Sequence, residues 1–277
     1  MWQLRISQFL SLGYFLAILV ACTPSGVKPM EGSGDNGTII PVEQTPVTQI
    51  DVSWLHDPQA RIARVTFCCS PLMSPNEEMA YLPEAQILGD GKIIWVERGS
   101  SQRSLVGFLS DEQMVALLKR ITEAGFFNWE DHYSSEYPPT DTPSRCIEVH
   151  LEAQSKQVCE LEAGAPPAFE EIYTNLTGGA GVQGKDYVPE IGYLSGFRLD
   201  ESVLRANGEL GVEWPAELGI PPAEAIQGVW IEGEPLAEIW RAARANVYHL
   251  PAVVDHNGAY RLVVQVPGVS WIEPPDR

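Results

Sequence analysis

Three pairs of short apolar runs, each joined by turn residues, constrain this chain more tightly than any other feature. Ala85-Gln86-Ile87-Leu88 and Lys92-Ile93-Ile94-Trp95-Val96-Glu97 flank Gly89-Asp90-Gly91. Cys146–Leu151 and Gln157–Leu161 flank a polar stretch with an expected turn near Gln154-Ser155. Ala252–Asp255 and Ala259–Val266 flank His256-Asn257-Gly258. Strand-length runs closed by Gly, Asn and Asp read as β-hairpins, and hairpins pair antiparallel. Ala63–Cys68 and Gly228–Glu232 read as further strands. Asp90 is the single acidic residue of its turn, and a calcium loop needs several spaced oxygen ligands, so the segment reads as a turn.

Helices punctuate the strands. Ser110 with Gln113 three residues on forms a capping box, and Asp111 and Glu112 complement the positive end of the helix dipole. Met114, Leu117, Leu118 and Ile121 then share one face, Gly125 stops the helix, and Phe126-Phe127 dock into the core. Pro166-Pro167 opens a second helix with Phe169, Ile172, Tyr173 and Leu176 on one side, closed by Gly178-Gly179-Ala180-Gly181. Leu236, Ile239, Trp240 and Ala243 mark a third, ending near Asn246. The expected class is α+β, with antiparallel sheet or sheets and two or three short packed helices.

The first residues read differently. Met1-Trp2-Gln3-Leu4-Arg5 is positive, Ile6 to Leu19 is apolar apart from Ser7, Gln8 and Ser11, and Leu19-Val20-Ala21 leads into Cys22. That order is a secretory leader. A membrane-spanning helix needs about 20 apolar residues, more than this run supplies. Leu19-Val20-Ala21-Cys22 resembles the lipobox of bacterial lipoprotein precursors. The resemblance implies a signal peptide over 1–21 and palmitate-type lipid on the Cys22 sulfur. It also makes Cys22 the new N-terminus, open to further acylation. Thr at position 23, where Asp would signal retention, implies no hold at an inner membrane. The expected place is extracytoplasmic, lipid-anchored at the cell membrane or outer membrane, with the membrane itself as a partner through Cys22. Residues 22–50, rich in Gly, Pro, Ser and Thr and without an aromatic, read as a tether with a reach of about 30 Å. The folded part is expected over 51–180 and 187–277, the latter a second subdomain or an extension of the first.

A net charge of −19 repels phosphate backbones, which excludes nucleic acid as the expected partner. Setting Cys22 aside leaves Cys68, Cys69, Cys146 and Cys159, an even number that in an exported chain reads as two disulfides with three possible pairings. A turn at Gln154-Ser155 would set Cys159 opposite His150, which favours links from Cys68 or Cys69 to Cys146 or Cys159. The cysteine spacing matches no zinc pattern, so no metal is expected.

No reactive centre is expected either. Leu194-Ser195-Gly196 lacks the first glycine of a nucleophile elbow. His56, His132, His150, His249 and His256 form no helical chelating pair, although Asp131-His132 and Glu148-x-His150 could orient an imidazole. Gly178–Gly181 lacks the Lys-Ser/Thr of a phosphate loop, and no cofactor is expected. Glu77-Glu78, Glu170-Glu171 and Asp200-Glu201 read as solvated surface. Tyr133 and Tyr137 stand out in the polar stretch Tyr133–Ser144 as aromatic contacts for a partner.

The succession over Leu82–Leu176 of strand, Gly-Asp-Gly turn, strand, capped helix ending Gly-Phe-Phe and hairpin is similar to a small domain of bacterial lipoproteins. It also resembles emfourin-type inhibitors of metalloproteases, with no inhibitory residue that carries over. The expected role is a non-enzymatic binding or structural protein of the cell envelope, whose partner is a protein or another envelope component. The alternatives are an envelope hydrolase with a carboxylate or histidine centre, and a protease inhibitor.

Overall fold

Two antiparallel-dominated sheets carry the fold, and one strand pair belongs to the cores on both sides of the first. The computed structural model describes residues 52–68, 79, 81–97, 103–136, 143–200, 202, 204, 212–214, 216–245 and 252–277. All belong to one unit, Thr48–Arg277. Cys22, Cys69, Tyr137 and Glu77-Glu78 lie outside the described residues, as does the side chain of Cys68.

The first sheet is built from β1 (Arg61–Cys68), β2 (Ala85–Leu88), β3 (Lys92–Glu97), β4 (Arg103–Phe108), β5 (His132–Ser134), β6 (Ser144–His150), β7 (Ser155–Leu161) and β8 (Lys185–Asp186). Their order is β5-β7-β6-β1-β2-β3-β4-β8, antiparallel except for β5 beside β7. Helices α1 (Asp111–Glu123) and α2 (Pro167–Thr177) cover one face. α1 starts as its capping box requires: the Ser110 N–H donates to Gln113 Oε1 at 2.9 Å, and the Gln113 N–H to Ser110 Oγ at 3.3 Å. Gly125 follows with φ of 82°, a left-handed conformation that needs no Cβ.

The second sheet holds β9 (Ile191–Leu199), β10 (Val212–Glu213), β11 (Val229–Glu232), β12 (Val253–Asp255) and β13 (Gly258–Gln265), in the order β10-β12-β13-β9-β11. Short α3 (Pro222–Ala225) and longer α4 (Gly233–Ala245) flank it. Among the described residues, no helix is long and apolar enough to cross a membrane.

Alternation along β3 and β4 explains the two cores. Ile93, Trp95 and Leu105 face Leu118, Ile121, Phe169 and Leu176 of α1 and α2. Ile94 and Val106 face the other way, onto Leu194, Leu262 and Val264 of the second sheet and Leu236, Ile239 and Trp240 of α4. A strand buried on both faces cannot alternate apolar with polar, which is why Ile93-Ile94-Trp95 is an unbroken apolar run.

The hairpin of β6 and β7 turns earlier than the sequence suggests. His150 pairs with Ser155, and Cys146 pairs directly with Cys159, not His150 with Cys159. The Cys159 N–H donates to the Asp131 carbonyl on the far side at 2.8 Å, so Cys146 and Cys159 form a non-hydrogen-bonded pair, the closer kind. They are disulfide-bonded across a Cα separation of 4.1 Å. This corrects the expected links to Cys68 or Cys69. Its cause is the turn: Leu151 and Gln154 exchange backbone hydrogen bonds, which places the reversal at Glu152-Ala153. Tyr133 and Ser134, at the start of the polar stretch Tyr133–Ser144, belong to the short strand β5.

Candidate functional site

The candidate site forms where the second sheet stops covering the first. Lys92 opens β3 and sits opposite Phe108, the last residue of β4. Side chains two apart on a strand share a face, so Phe108 follows Val106 and Lys92 precedes Ile94 on the side of the second core. Ile94 and Val106 are covered there; Phe108 is 58 % exposed. After β4 the sheet gains only Lys185 and Asp186 of β8, paired with Val106 and Leu105. The chain then turns through Tyr187-Val188-Pro189-Glu190 into β9, and these residues wall a cleft together with Val266 and Pro267. The cleft has a volume of about 480 Å³, within the range of small-molecule sites.

Tyr187 anchors the wall. Its ring meets Trp240 edge-on at 5.8 Å, its carbonyl accepts the Trp240 indole N–H at 3.0 Å, and its N–H donates to the Ser104 carbonyl at 2.8 Å. Burial, and secondarily the charge of Glu190, push the Tyr187 phenol well above its ordinary range, so it is neutral at any physiological pH. The Lys92 ammonium lies 5.6 Å from the centre of its ring. Val188, next in sequence, is 41 % exposed.

Charge is distributed unevenly around this cleft. Asp186 is taken by Arg103, whose Nε donates to it at 3.1 Å. Among the described lysines, Lys119 pairs with Glu123 at 3.9 Å and Lys156 with Asp131, whereas neither Lys92 nor Lys185 has a carboxylate partner. In a chain of net charge −19, these two ammonium groups without a carboxylate line one cavity together with exposed apolar side chains. Glu190 is the one lining carboxylate without a cation on it. Such an arrangement can hold an anionic group beside an apolar body.

The residues singled out from sequence lie elsewhere. Tyr133 is in β5, half-buried against the first core, with its hydroxyl accepting the Glu130 N–H at 2.9 Å. Asp131 is committed to Lys156, and its carboxyl is held low first by that hydrogen bond and then by the lysine charge. Glu148 and His150, on one face of β6, meet at 2.9 Å between Oε1 and Nε2. Ser195 lies inside β9, buried, without the sharp turn of an elbow. Among the described residues, no three His, Cys, Asp or Glu side chains group as metal ligands.

One buried cation went unforeseen. Arg64, 4 % exposed, donates from Nε to Gln86 Oε1 at 3.0 Å, and its guanidinium carbon stands 5.4 Å from the centre of the Trp271 ring. Gln86 in turn donates to the Gly268 carbonyl, which fastens the segment after β13 across the sheet. Burial first, then the charge of Arg61, lower the Arg64 pKa to about 10, against the pull of Glu148 and Glu273. It stays charged at neutral pH.

No known protein family matches this sequence, and no curated protein matches it.

Proposed function

We propose that this chain is a membrane-tethered, extracytoplasmic, non-enzymatic binding protein whose contact surface is the cleft between β4, β8 and the Tyr187–Glu190 wall. Exposed Phe108 and Val188 beside Lys92 and Lys185, neither of which has a carboxylate partner, carry the binding half of this reading. The surface combines apolar area with charge complementary to an anion, whereas the other described lysines, Lys119 and Lys156, are paired. The bonded Cys146 and Cys159 support an oxidising compartment, and the leader with Cys22 supports export and lipid attachment. Two or more acyl chains hold a protein stably where one does not, and the tether over 22–50 lets the folded unit stand clear of the headgroups.

Two outcomes test the two halves. Cys22→Ala is expected to abolish incorporation of labelled palmitate and to leave the leader uncleaved; equal labelling of the variant would remove the anchor. For the binding half, Val115 on α1 and Val188 in the cleft are both 41 % exposed. A photo-crosslinking amino acid in place of Val188 is expected to yield an adduct in intact cells that the same group at Val115 does not. Identical adducts at both sites would dismiss the cleft as a contact surface.

A further inference from the structure

We infer that the cleft takes a single-chain amphiphilic carboxylate, with its head group at Lys92 and Lys185 and its hydrocarbon chain along Phe108 and Val188. The inference rests on the cleft being the contact surface, and it adds the chemical class of ligand.

Sign is the first argument. The chain carries 37 acidic against 18 basic residues, so an unpaired lysine is surrounded by available carboxylates. Lys119 and Lys156 use them. Lys92 and Lys185, brought to one cavity by the pairing of β3 with β4 and β4 with β8, do not. Asp186, the acid nearest in sequence, is drawn off by Arg103. An anion bound in this cavity meets two cations there and one uncommitted carboxylate, Glu190.

Shape is the second. Phe108 and Val188 both line the cleft, and each is among the few large apolar side chains left exposed among the described residues. Val106 and Val266 continue the apolar lining inward. An inorganic anion would satisfy the lysines and leave Phe108 and Val188 in water; an uncharged hydrocarbon would do the reverse. A carboxylate with one alkyl chain satisfies both sets. A volume of about 480 Å³ suits one chain rather than a folded protein segment.

The test is equilibrium binding of radiolabelled decanoate, below its micelle-forming concentration, to the full chain in phosphatidylcholine nanodiscs, with uptake by empty nanodiscs subtracted. Saturable binding of one decanoate per chain is expected. It should exceed binding of decanol or decyltrimethylammonium by about tenfold. Affinity should rise up to about fourfold per added methylene from hexanoate to decanoate, the amount full burial of each would provide. The Lys92→Met, Lys185→Met double variant should bind decanoate and decanol alike. Glu190→Gln, which removes the one uncommitted lining carboxylate, should tighten decanoate about threefold. Thermal melting of each variant at the parent temperature shows that the fold is retained.

Decanoate that does not saturate, binds no better than decanol, or ignores the lysine substitutions overturns the inference. A specific adduct at Val188 alongside such a result would leave the cleft as a contact surface for a different ligand class. Failure of both experiments removes the cleft altogether.

Discussion

Trp95→Ala is expected to destabilise the folded unit by about 3–5 kcal/mol, the range for deleting a fully packed large aromatic. For a unit of this size that lowers the melting temperature by about 10 °C. The indole lies on backbone that has no side chains. A Cβ at Gly184 would stand 2.4 Å from Trp95 Cη2, one at Gly179 would stand 2.7 Å from Cζ2, and one at Gly107 would stand 3.4 Å from Cζ3. Gly184 and Gly179 therefore clear the space for the ring, with Gly107 in contact with its edge, and on that side backbone rather than side chains would border the space left when the ring is removed. Gly184→Ala tests the same contact from the other side, by pushing a methyl into the ring, with an expected cost of about 1–3 kcal/mol. Gly184 immediately precedes β8, so both substitutions should also loosen Lys185 and weaken ligand binding in the cleft. Urea titration reads the stability, and hydrogen exchange at Lys185 and Asp186 reads the local effect. A loss below 1 kcal/mol with unchanged exchange would show that the ring is not the support of this corner.

The glycines explain much of what was and was not legible in the sequence. α1 was legible to the residue, because its cap, its stripe and its stop are local signals that tertiary packing had no reason to override. β9, the strand between β13 and β11, was not. Ile191–Leu199 contains Gly192 and Gly196, which interrupt its apolar pattern. They serve to bring chains together, since a Cβ at Gly192 would stand 2.8 Å from Leu236 Cδ1 and one at Gly196 would stand 2.2 Å from the Arg261 carbonyl oxygen. β4 escaped for a related reason: Gly107 and two flanking polar residues hide a short strand that is buried through its middle.

Sites are harder to read than elements. The cleft draws on Lys92, Phe108, Lys185 and Val188, which no sequence spacing connects, and its character depends on which carboxylates the other lysines have already taken. Only the exposed Phe108 leaves a trace, as an aromatic ending a strand just before a helix cap. Tyr133 illustrates the converse. Its stretch reads as a polar loop, but β5 adds parallel to β7 through backbone hydrogen bonds that no side-chain pattern announces, and the ring rests half-buried against the first core.

The hairpin register has an energetic consequence on the face away from the disulfide. With Cys146 opposite Cys159, Arg145 stands opposite Glu160; a turn at Gln154-Ser155 would have set it against Gly164. Arg145 binds Glu160 through Nη2 and Glu170 of α2 through Nη1 at 2.6 Å. Its guanidinium also covers the rings of Tyr173 at 5.0 Å and Phe169 at 5.7 Å. Glu160 is almost wholly buried, and its other oxygen accepts the Ala165 N–H at 3.2 Å. Tyr173 extends the network by donating to the buried Glu84 carboxylate. Removing the cation strands a carboxylate in the interior, so Arg145→Met is expected to cost about 3 kcal/mol. The loss is charge rather than volume, because methionine keeps most of the contact with Phe169 and Tyr173. Adding Glu160→Gln to Arg145→Met should therefore restore about half of that loss, a coupling that urea titration of the two single variants and the double variant measures. Additive losses would mean that Arg145 contributes through packing on the α2 rings and that the ion pair has no net value.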